Sequence, residues 1–267
     1  MKAISLFILF SLSISNLIAQ DDAAQRKIRK SERNRKIDEI VKMEEEGTLK
    51  YKSHFIGGFK LNSDGYGGFL EYGKVKSKKK ALLFQLDISE RKHLKEEKLQ
   101  NESTPSSPLI YGKINFFYPV KLGVQEQFVL GNKGNKNGVN ITANVGGGVS
   151  LGVLRPYLLQ INRGNDTLEY VKYNSPDSIY FVDQQYLGNV VGGPSFSEGW
   201  NQLSMVPGLY IKSSLRFDYG KYNEIISGIE IGVHAEYYNK NIPQLIDIDQ
   251  KQFFMGAYIS ILFGKRK

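Results

Sequence analysis

The sequence predicts an all-β protein: a transmembrane, up-and-down antiparallel β-barrel of about eight strands, preceded by a short charged segment that is helical or disordered. From residue 53 onward, apolar and polar residues alternate with a period of two, as they do in strands whose successive side chains point to opposite faces. The polar face carries many ionisable groups. The chain also has 16 Tyr, 15 Phe and 27 Gly, residue types that are common in strands and tight turns.

Composition excludes several classes of protein. The chain has 267 residues, no Cys, a formal net charge of +9 and a mean hydropathy of −0.34. Without Cys there are no thiolate nucleophiles, Cys-ligated zinc sites, iron–sulfur clusters or disulfides. The mean hydropathy argues against a polytopic helical membrane protein, which needs repeated apolar runs of about 20 residues.

The first segment is predicted to be a secretory signal peptide over residues 1–19. Lys2 precedes an apolar run from Ala3 to Ile18, and the small residue Ala19 precedes the first acidic residues. A retained membrane anchor is the alternative, but the run is shorter than the roughly 20 residues that a span needs. We therefore expect the protein to be exported.

Residues 20–52 form the charged segment, which we expect to face the periplasm. Basic residues dominate 26–36, and Glu44-Glu45-Glu46 follows them. Oppositely charged halves are typical of a solvated helix or a disordered lead. Binding to an acidic partner or to anionic lipid heads is the alternative. We expect no nucleic-acid partner, because the chain is exported and shows no nucleic-acid-binding motif.

The barrel is predicted over 53–264, and its closing segment shows the alternation most clearly. One face of that segment is wholly apolar: Phe253, Met255, Ala257, Ile259, Ile261 and Phe263. In chain order, the alternating stretches cover residues 54–61, 66–72, 82–91, 113–122, 139–153, 209–218, 228–238 and 252–263. Gly146-Gly147-Gly148 lies inside one of them, which indicates close backbone approach or strong strand curvature rather than a phosphate loop.

The polar face distinguishes a membrane barrel from a soluble sandwich, which would alternate in the same way. A soluble core tolerates few ionisable groups, whereas a transmembrane barrel keeps its polar face inside. The predicted charge network of the lumen comprises Lys60, Glu71, Asp87, Lys113, Lys212, Arg216, Asp218, Glu230, His234 and Glu236. We expect these groups to neutralise one another in a salt-bridged plug; an ion path or a ligand site is the alternative.

The connections between stretches indicate the orientation. With both termini in the periplasm, the second, fourth and sixth connections face the periplasm, and they are the short ones. Long connections at 92–109, 163–198 and 239–250 face outward, and the short first connection is the single departure.

With its closing run from Phe253 to Gly264, the chain resembles the small outer-membrane β-barrel proteins typical of Bacteroidota, similar in outline to OmpA- and OmpX-type barrels. It departs from the proteobacterial pattern because Gly264-Lys265-Arg266-Lys267 follows Phe263. The resemblance implies a location in the cell outer membrane, in contact with its lipid. No peptidoglycan-binding domain is expected after the barrel.

These features favour a non-enzymatic scaffold or accessory subunit of a cell-envelope assembly, with no cofactor and no metal. Envelope partners are expected to bind the N-terminal segment or the loops. Long loops on rigid scaffolds commonly carry recognition, and aromatic side chains suit protein or glycan surfaces. The loop residues predicted for recognition are Tyr170, Tyr173, Tyr180, Phe181 and Tyr186, unless they only pack the loop on the barrel rim.

Two alternatives stay open: a narrow ion channel and a lipid-modifying enzyme. An enzyme would need one of His54, His93 or His234 as a base, and His93 near Ser89 is the best arrangement. Residues two apart on a strand lie about 7 Å apart, so residues 89 and 93 are too distant for a direct hydrogen bond.

Overall fold

The computed structural model describes residues 29–32, 51–99, 108–131, 138–163, 167–173, 176–183, 189–220, 225–246 and 248–267. The predicted signal peptide and most of the charged segment lie outside these residues. Within them, no helix is long and apolar enough to cross a membrane.

Eight long strands form the barrel, which confirms the predicted fold class. They are β1 Ser53–Asn62, β2 Gly65–Ser77, β3 Lys80–Arg91, β4 Asn115–Gly131, β5 Asn140–Pro156, β6 Ser204–Asp218, β7 Ile225–Ile242 and β8 Lys251–Arg266. Each strand pairs antiparallel with the next, and β1 pairs with β8 to close the sheet. The backbone N–H of Lys267 donates to the carbonyl of Ser53 over 2.8 Å, so both ends of the chain's barrel region meet at one end of the cylinder.

The strands are longer than the sequence pattern suggested. For example, β7 runs from Ile225 to Ile242, whereas the alternation of side chains is clear only over 228–238. The backbone ladder continues beyond the last patterned residue because neighbouring strands still satisfy its N–H and C=O groups.

The outward face of the barrel is apolar and the inward face is polar. Phe59, Met255 and Ile211 are 79%, 75% and 68% exposed, whereas Glu71 and Glu230 are 1% exposed. A soluble protein would have the opposite distribution, because its apolar side chains would be removed from water. The chain is therefore a membrane-spanning barrel, in which lipid covers the apolar band.

Glycines allow the strands to approach closely where β5 lies between β4 and β6. A Cβ atom added at Gly148 would overlap the carbonyl oxygen of Leu122, and one at Gly147 would overlap that of Tyr210. The run of three glycines is thus a requirement of backbone packing, as the sequence indicated.

Two apolar layers lie inside the barrel, one toward each end. We call the end of the barrel that holds the chain termini the terminus end and the opposite end the loop end. The layer toward the terminus end contains Ile56, Phe69, Ile226 and Leu262. The layer toward the loop end contains Phe117, Leu154, Val206, Tyr238 and Ile242, with Phe254 packed against it.

A folded cap covers the loop end. We use this name for the described residues of the connections 92–114, 157–203 and 243–250. Its sheet pairs Leu159–Asn162 with Leu168–Val171 and with Val190–Gly192. A two-residue pairing joins Lys98–Leu99 to Leu109–Ile110, and short helical turns occupy Pro176–Ser178, Ile179–Val182 and Trp200–Gln202.

The cap has a hydrophobic core of its own, and hydrogen bonds join its segments. Ile110, Tyr157, Leu159, Ile161, Val171, Phe181 and Val190 form that core. Ile114 N–H donates to the carbonyl of Gln244, and Tyr157 N–H donates to that of Ile114, each over 2.8 Å. The three long connections are therefore one folded unit rather than separate loops.

Candidate functional site

The charged side chains of the lumen come from strands all around the barrel, and register brings them together in two clusters. In a closed sheet, alternate residues of every strand point inward, so each strand contributes to the same enclosed volume. The lower cluster, nearer the terminus end, contains His54, Glu71, Lys212, Arg216 and Glu230. The upper cluster contains Lys60, Asp64, Asp87, Arg91, Lys121, His234 and Glu236.

Arg216 organises the lower cluster. Its Nη1 and Nη2 atoms donate to the two carboxylate oxygens of Glu71, each over 2.7 Å, which is the two-pronged geometry that a guanidinium favours. The same side chain also reaches Glu230, with Nη2 2.6 Å from Oε2. Lys212 Nζ lies 3.3 Å from the other oxygen of Glu230. His54 Nε2 lies 3.3 Å from Glu71 Oε1.

Glu236 organises the upper cluster. Lys121 Nζ donates to its Oε1 over 2.6 Å, and Arg91 Nη1 lies 3.2 Å from its Oε2. Arg91 also reaches Asp64 at the loop end, over 2.7 Å. Lys60 pairs with Asp87, and Asp87 Oδ1 lies 4.0 Å from Lys121 Nζ, which connects this pair to the same cluster.

Formal charges balance within each cluster. In the lower one, Lys212 and Arg216 face two carboxylates, and in the upper one three bases face three carboxylates. Burial of an unpaired charge costs several kcal/mol, typically about 3–5 when one partner of a buried pair is removed. Neutrality therefore allows the lumen to be charged and closed at once.

Tyrosine hydroxyls link the charges to the apolar layers. Tyr258 OH donates to Glu230 and Tyr238 OH donates to Glu236, each over 2.7 Å. The ring of Tyr238 belongs to the apolar layer toward the loop end and packs edge-on against Phe117, with 5.5 Å between ring centroids. The carboxylates are thus held by groups that also close the barrel.

The structure places eight of the predicted lumen residues in the two clusters: Lys60, Glu71, Asp87, Lys212, Arg216, Glu230, His234 and Glu236. Asp218 lies apart from them at the terminus end, where it pairs with Arg266. Sequence reasoning left Arg91 and Lys121 out of the network, although the same alternation places both on inward faces.

The position predicted for Lys113 is wrong. β4 begins at Asn115, and Lys113 precedes it in the cap, where it forms an isolated bridge with Leu245. Its Nζ lies 2.7 Å from Glu96 Oε1. Burial lowers the pKa of Lys113, and the nearby Glu96 opposes that shift. The alternation continued past the start of the strand because the cap also buries this side chain.

The three histidines lie in different surroundings. His234 Nε2 lies 2.9 Å from Arg91 Nη2 inside the barrel, and His54 contacts Glu71. His93 lies in the cap, where its Nδ1 accepts a hydrogen bond from the backbone of Lys95 over 3.2 Å. Burial lowers the pKa of His93, with an opposing contribution from Glu96. Within the described part of the chain, the buried hydroxyl of Ser89 has no hydrogen-bond partner, His93 included.

The predicted recognition residues are distributed between the core and the surface of the cap. Phe181 is only 2% exposed and fills the cap core, so its prediction as a surface contact is wrong. Tyr173 and Tyr180 pack against that core, and Tyr173 meets Phe181 with 5.9 Å between ring centroids. Tyr170 is 43% exposed and remains a surface candidate, whereas Tyr186 lies outside the described residues.

Arg155 anchors the cap to the barrel, which the sequence did not suggest. Its guanidinium carbon lies 4.1 Å from the ring centroid of Phe116 and 5.1 Å from that of Trp200. Its Nη1 donates to the carbonyls of Phe196 and Glu198 over 2.6 and 3.1 Å. These contacts hold the turn at 196–200 against the end of β5. No sequence pattern could reveal them, because the partners come from separate elements.

A cavity of about 330 Å³ lies at the mouth of the barrel beneath the cap. Leu154 and Pro156 of β5, Tyr173, Gln202 and Pro243 are among the residues that line it. Its volume is near the lower end of the range of about 300–1,000 Å³ that is typical of small-molecule sites.

No family model and no curated protein matches the chain. Among solved structures, Neisserial surface protein A is similar at 8% identity and a TM-score of 0.37, over 80% of this chain and 95% of that one. Ail of Yersinia pestis matches at 9% identity and a TM-score of 0.37, over 81% and 99% of the two chains. OprG, an outer membrane protein of Pseudomonas aeruginosa, matches at 10% identity and a TM-score of 0.35, over 83% of this chain and 98% of that one. At such values the barrel assignment rests on the strand register of this chain itself.

Proposed function

We propose that the chain is a non-enzymatic integral barrel of the cell outer membrane that acts as a rigid scaffold or accessory subunit of a cell-envelope assembly. The observation that carries this proposal is the closure of the barrel. A neutral network of salt bridges and two apolar layers fill the lumen, and a folded cap covers one end. A molecule of this kind can present the surface of its cap to a partner, whereas its filled lumen does not suit the passage of solutes.

The membrane location rests on the outward apolar band, and the outer membrane is the compartment that suits a barrel. Strands can cross a bilayer only when every backbone group is paired within a closed sheet. The predicted signal peptide supports export, and the short turns at the terminus end support a periplasmic position for both termini. Under this orientation the cap faces the outside.

Recognition is proposed for the cap surface and for the charged segment 20–52. The cap core fixes the positions of exposed side chains such as Tyr170. Rigid presentation lowers the entropy lost on binding a partner. Crosslinking and pull-down from detergent-solubilised outer membrane, with crosslinkers placed on the cap or on the segment, would identify the partner. If the same amount of partner is recovered when both the cap surface and the charged segment are blocked, this proposal is contradicted.

A narrow ion channel is the main competitor, and conductance measurements distinguish the two. We expect the purified protein to produce no stepwise conductance in planar bilayers at any salt concentration, because paired charges and apolar side chains together fill the lumen. Insertion is checked in the same membranes by protection of the barrel from added protease. Regular conductance steps that scale with salt would contradict the closed-barrel proposal.

A lipid-modifying enzyme is the second competitor. His93→Ala should leave phospholipid and lipid A turnover in whole cells unchanged, because no described hydroxyl pairs with His93. The matched control is His54→Ala, a change inside the barrel rather than in the cap. A turnover that falls only in the His93 variant would favour an enzyme.

A further inference from the structure

Among the residues that the structure describes, the exposed lysines of the terminus end lie on one side of the barrel. They belong to β8, β1, β2, β3 and the residues next to these strands. We call this set the basic rim: Lys52, Lys74, Lys76, Lys78, Lys79, Lys80, Lys265 and Lys267.

The basic rim begins where the apolar band ends. Phe55 pairs in register with Lys265 on one side and with Tyr72 on the other, and Tyr72 pairs with Phe84. All four side chains point outward, so one row around the barrel contains three aromatic rings and a lysine. Lys74 follows Tyr72 as the next outward residue of β2. Aromatic rings of this kind mark the boundary between hydrocarbon and headgroups.

Within the described residues, three lysines of the basic rim have no carboxylate partner. Lys80 lies 3.3 Å from Glu126, but no described carboxylate pairs with Lys74, Lys76 or Lys265. Strands lie about 4.8 Å apart, so lysines two strands apart are separated by about 10 Å, close to the Debye length at physiological salt. Their potentials therefore add.

The opposite side of the terminus end differs. The described outward residues near that end of β5, β6 and β7 are uncharged: Ile141, Phe217, Tyr219, Ile225 and Ser227. Among the described residues, the exposed lysines of the terminus end therefore lie in one sector of the barrel.

We propose that the basic rim binds the headgroups of anionic phospholipids in the leaflet at the terminus end. Lys74, Lys76 and Lys265 continue the rows of lipid-facing side chains, so their aliphatic stems lie along the edge of the apolar band while their ammonium groups reach phosphate level. An acidic protein segment would need lysines that point away from the membrane, which favours lipid. The inference rests on the proposed membrane orientation.

The test is native mass spectrometry of the mature chain, released from detergent after equilibration with equal amounts of phosphatidylglycerol and phosphatidylcholine. The variant carries Lys74→Gln, Lys76→Gln and Lys265→Gln. Its matched control carries Lys95→Gln, Lys240→Gln and Lys251→Gln, three exposed lysines at the loop end. We expect the wild-type chain and the control to retain phosphatidylglycerol preferentially. The variant should lose about tenfold or more of that preference, since each lysine near an anionic surface contributes about fivefold.

Three results would overturn the proposal. An equal loss in the control would attribute the effect to net charge. A wild-type chain without preference would mean that the rim serves another partner, such as an acidic protein segment. A chain that stays soluble without detergent would contradict the membrane orientation itself, and with it this proposal. In the first two cases the barrel is inserted and the proposed function stands.

Discussion

Arg216 lies between two carboxylates in the lumen, those of Glu71 and Glu230. Sequence alternation placed all three residues inside the barrel. Which carboxylates the guanidinium would meet depends on the register between strands and on the curvature of the sheet, and neither is encoded in the spacing of residues along one strand.

Arg216→Met should destabilise the barrel by about 3–5 kcal/mol, because it leaves two buried carboxylates next to each other without their shared cation. Urea unfolding of the protein in detergent, followed by circular dichroism, would measure the change. Arg163→Met is the control: Arg163 also contacts two carboxylates, Glu169 and Asp177, but on the surface of the cap. We expect little change in that variant.

Replacing Glu71 as well should restore part of the loss. In the double variant with Arg216→Met and Glu71→Gln, Lys212 and Glu230 remain in the lower cluster as a balanced pair. If the double variant is as unstable as the single one, lost packing rather than unpaired charge explains the effect.

Among the elements, strands were predictable and the cap was not. A period of two over about ten residues is specific for a strand that separates two environments. The strands of the cap are four residues or fewer, too short for such a pattern to be recognised. Loop aromatics such as Phe181 were therefore interpreted as surface contacts, although they form the core of a folded unit.

Ionisation of Tyr157 should destabilise the cap at alkaline pH. Its hydroxyl accepts a hydrogen bond from the backbone N–H of Ile110 over 2.9 Å, and burial raises the pKa of Tyr157 to about 12. The folded cap holds this proton more tightly than the unfolded chain, whose tyrosine has a pKa of about 10. Stability is therefore complete below pH 10 and is lost as the pH rises toward 12, by about 3 kcal/mol in all.

The only Trp in the sequence, Trp200, lies in the cap and reports on this transition. Its fluorescence anisotropy should fall between pH 10 and 12 in the wild-type chain. Tyr157→Phe should remove that step while lowering stability below pH 10, because Ile110 loses its acceptor. Tyr170→Phe, a change at an exposed tyrosine, should keep the step. A step that persists in Tyr157→Phe would assign it to another group.

At the scale of the whole molecule, the outward face is apolar and the inward face is charged, an arrangement that requires lipid around the barrel. Because the chain has no Cys, single cysteines can carry spin labels without background. Labels at Ile231 and Ile259, which point outward from β7 and β8, should be accessible to oxygen and protected from a water-soluble nickel reagent in bilayers. A label at Leu94 in the cap should show the reverse. An aqueous surrounding at residues 231 and 259 would contradict the membrane-spanning barrel.

The sequence by itself determined the fold class, because each strand records in its own alternation which side faces lipid and which faces the lumen. Closure through β1 and β8, the pairing of Arg216 with Glu71, and the position of Lys113 in the cap were decided only by the tertiary structure. The physical reason is the range of the interactions. Whether a side chain faces inward or outward is a property of one strand, whereas ion pairs and cap contacts join residues that are distant in the chain.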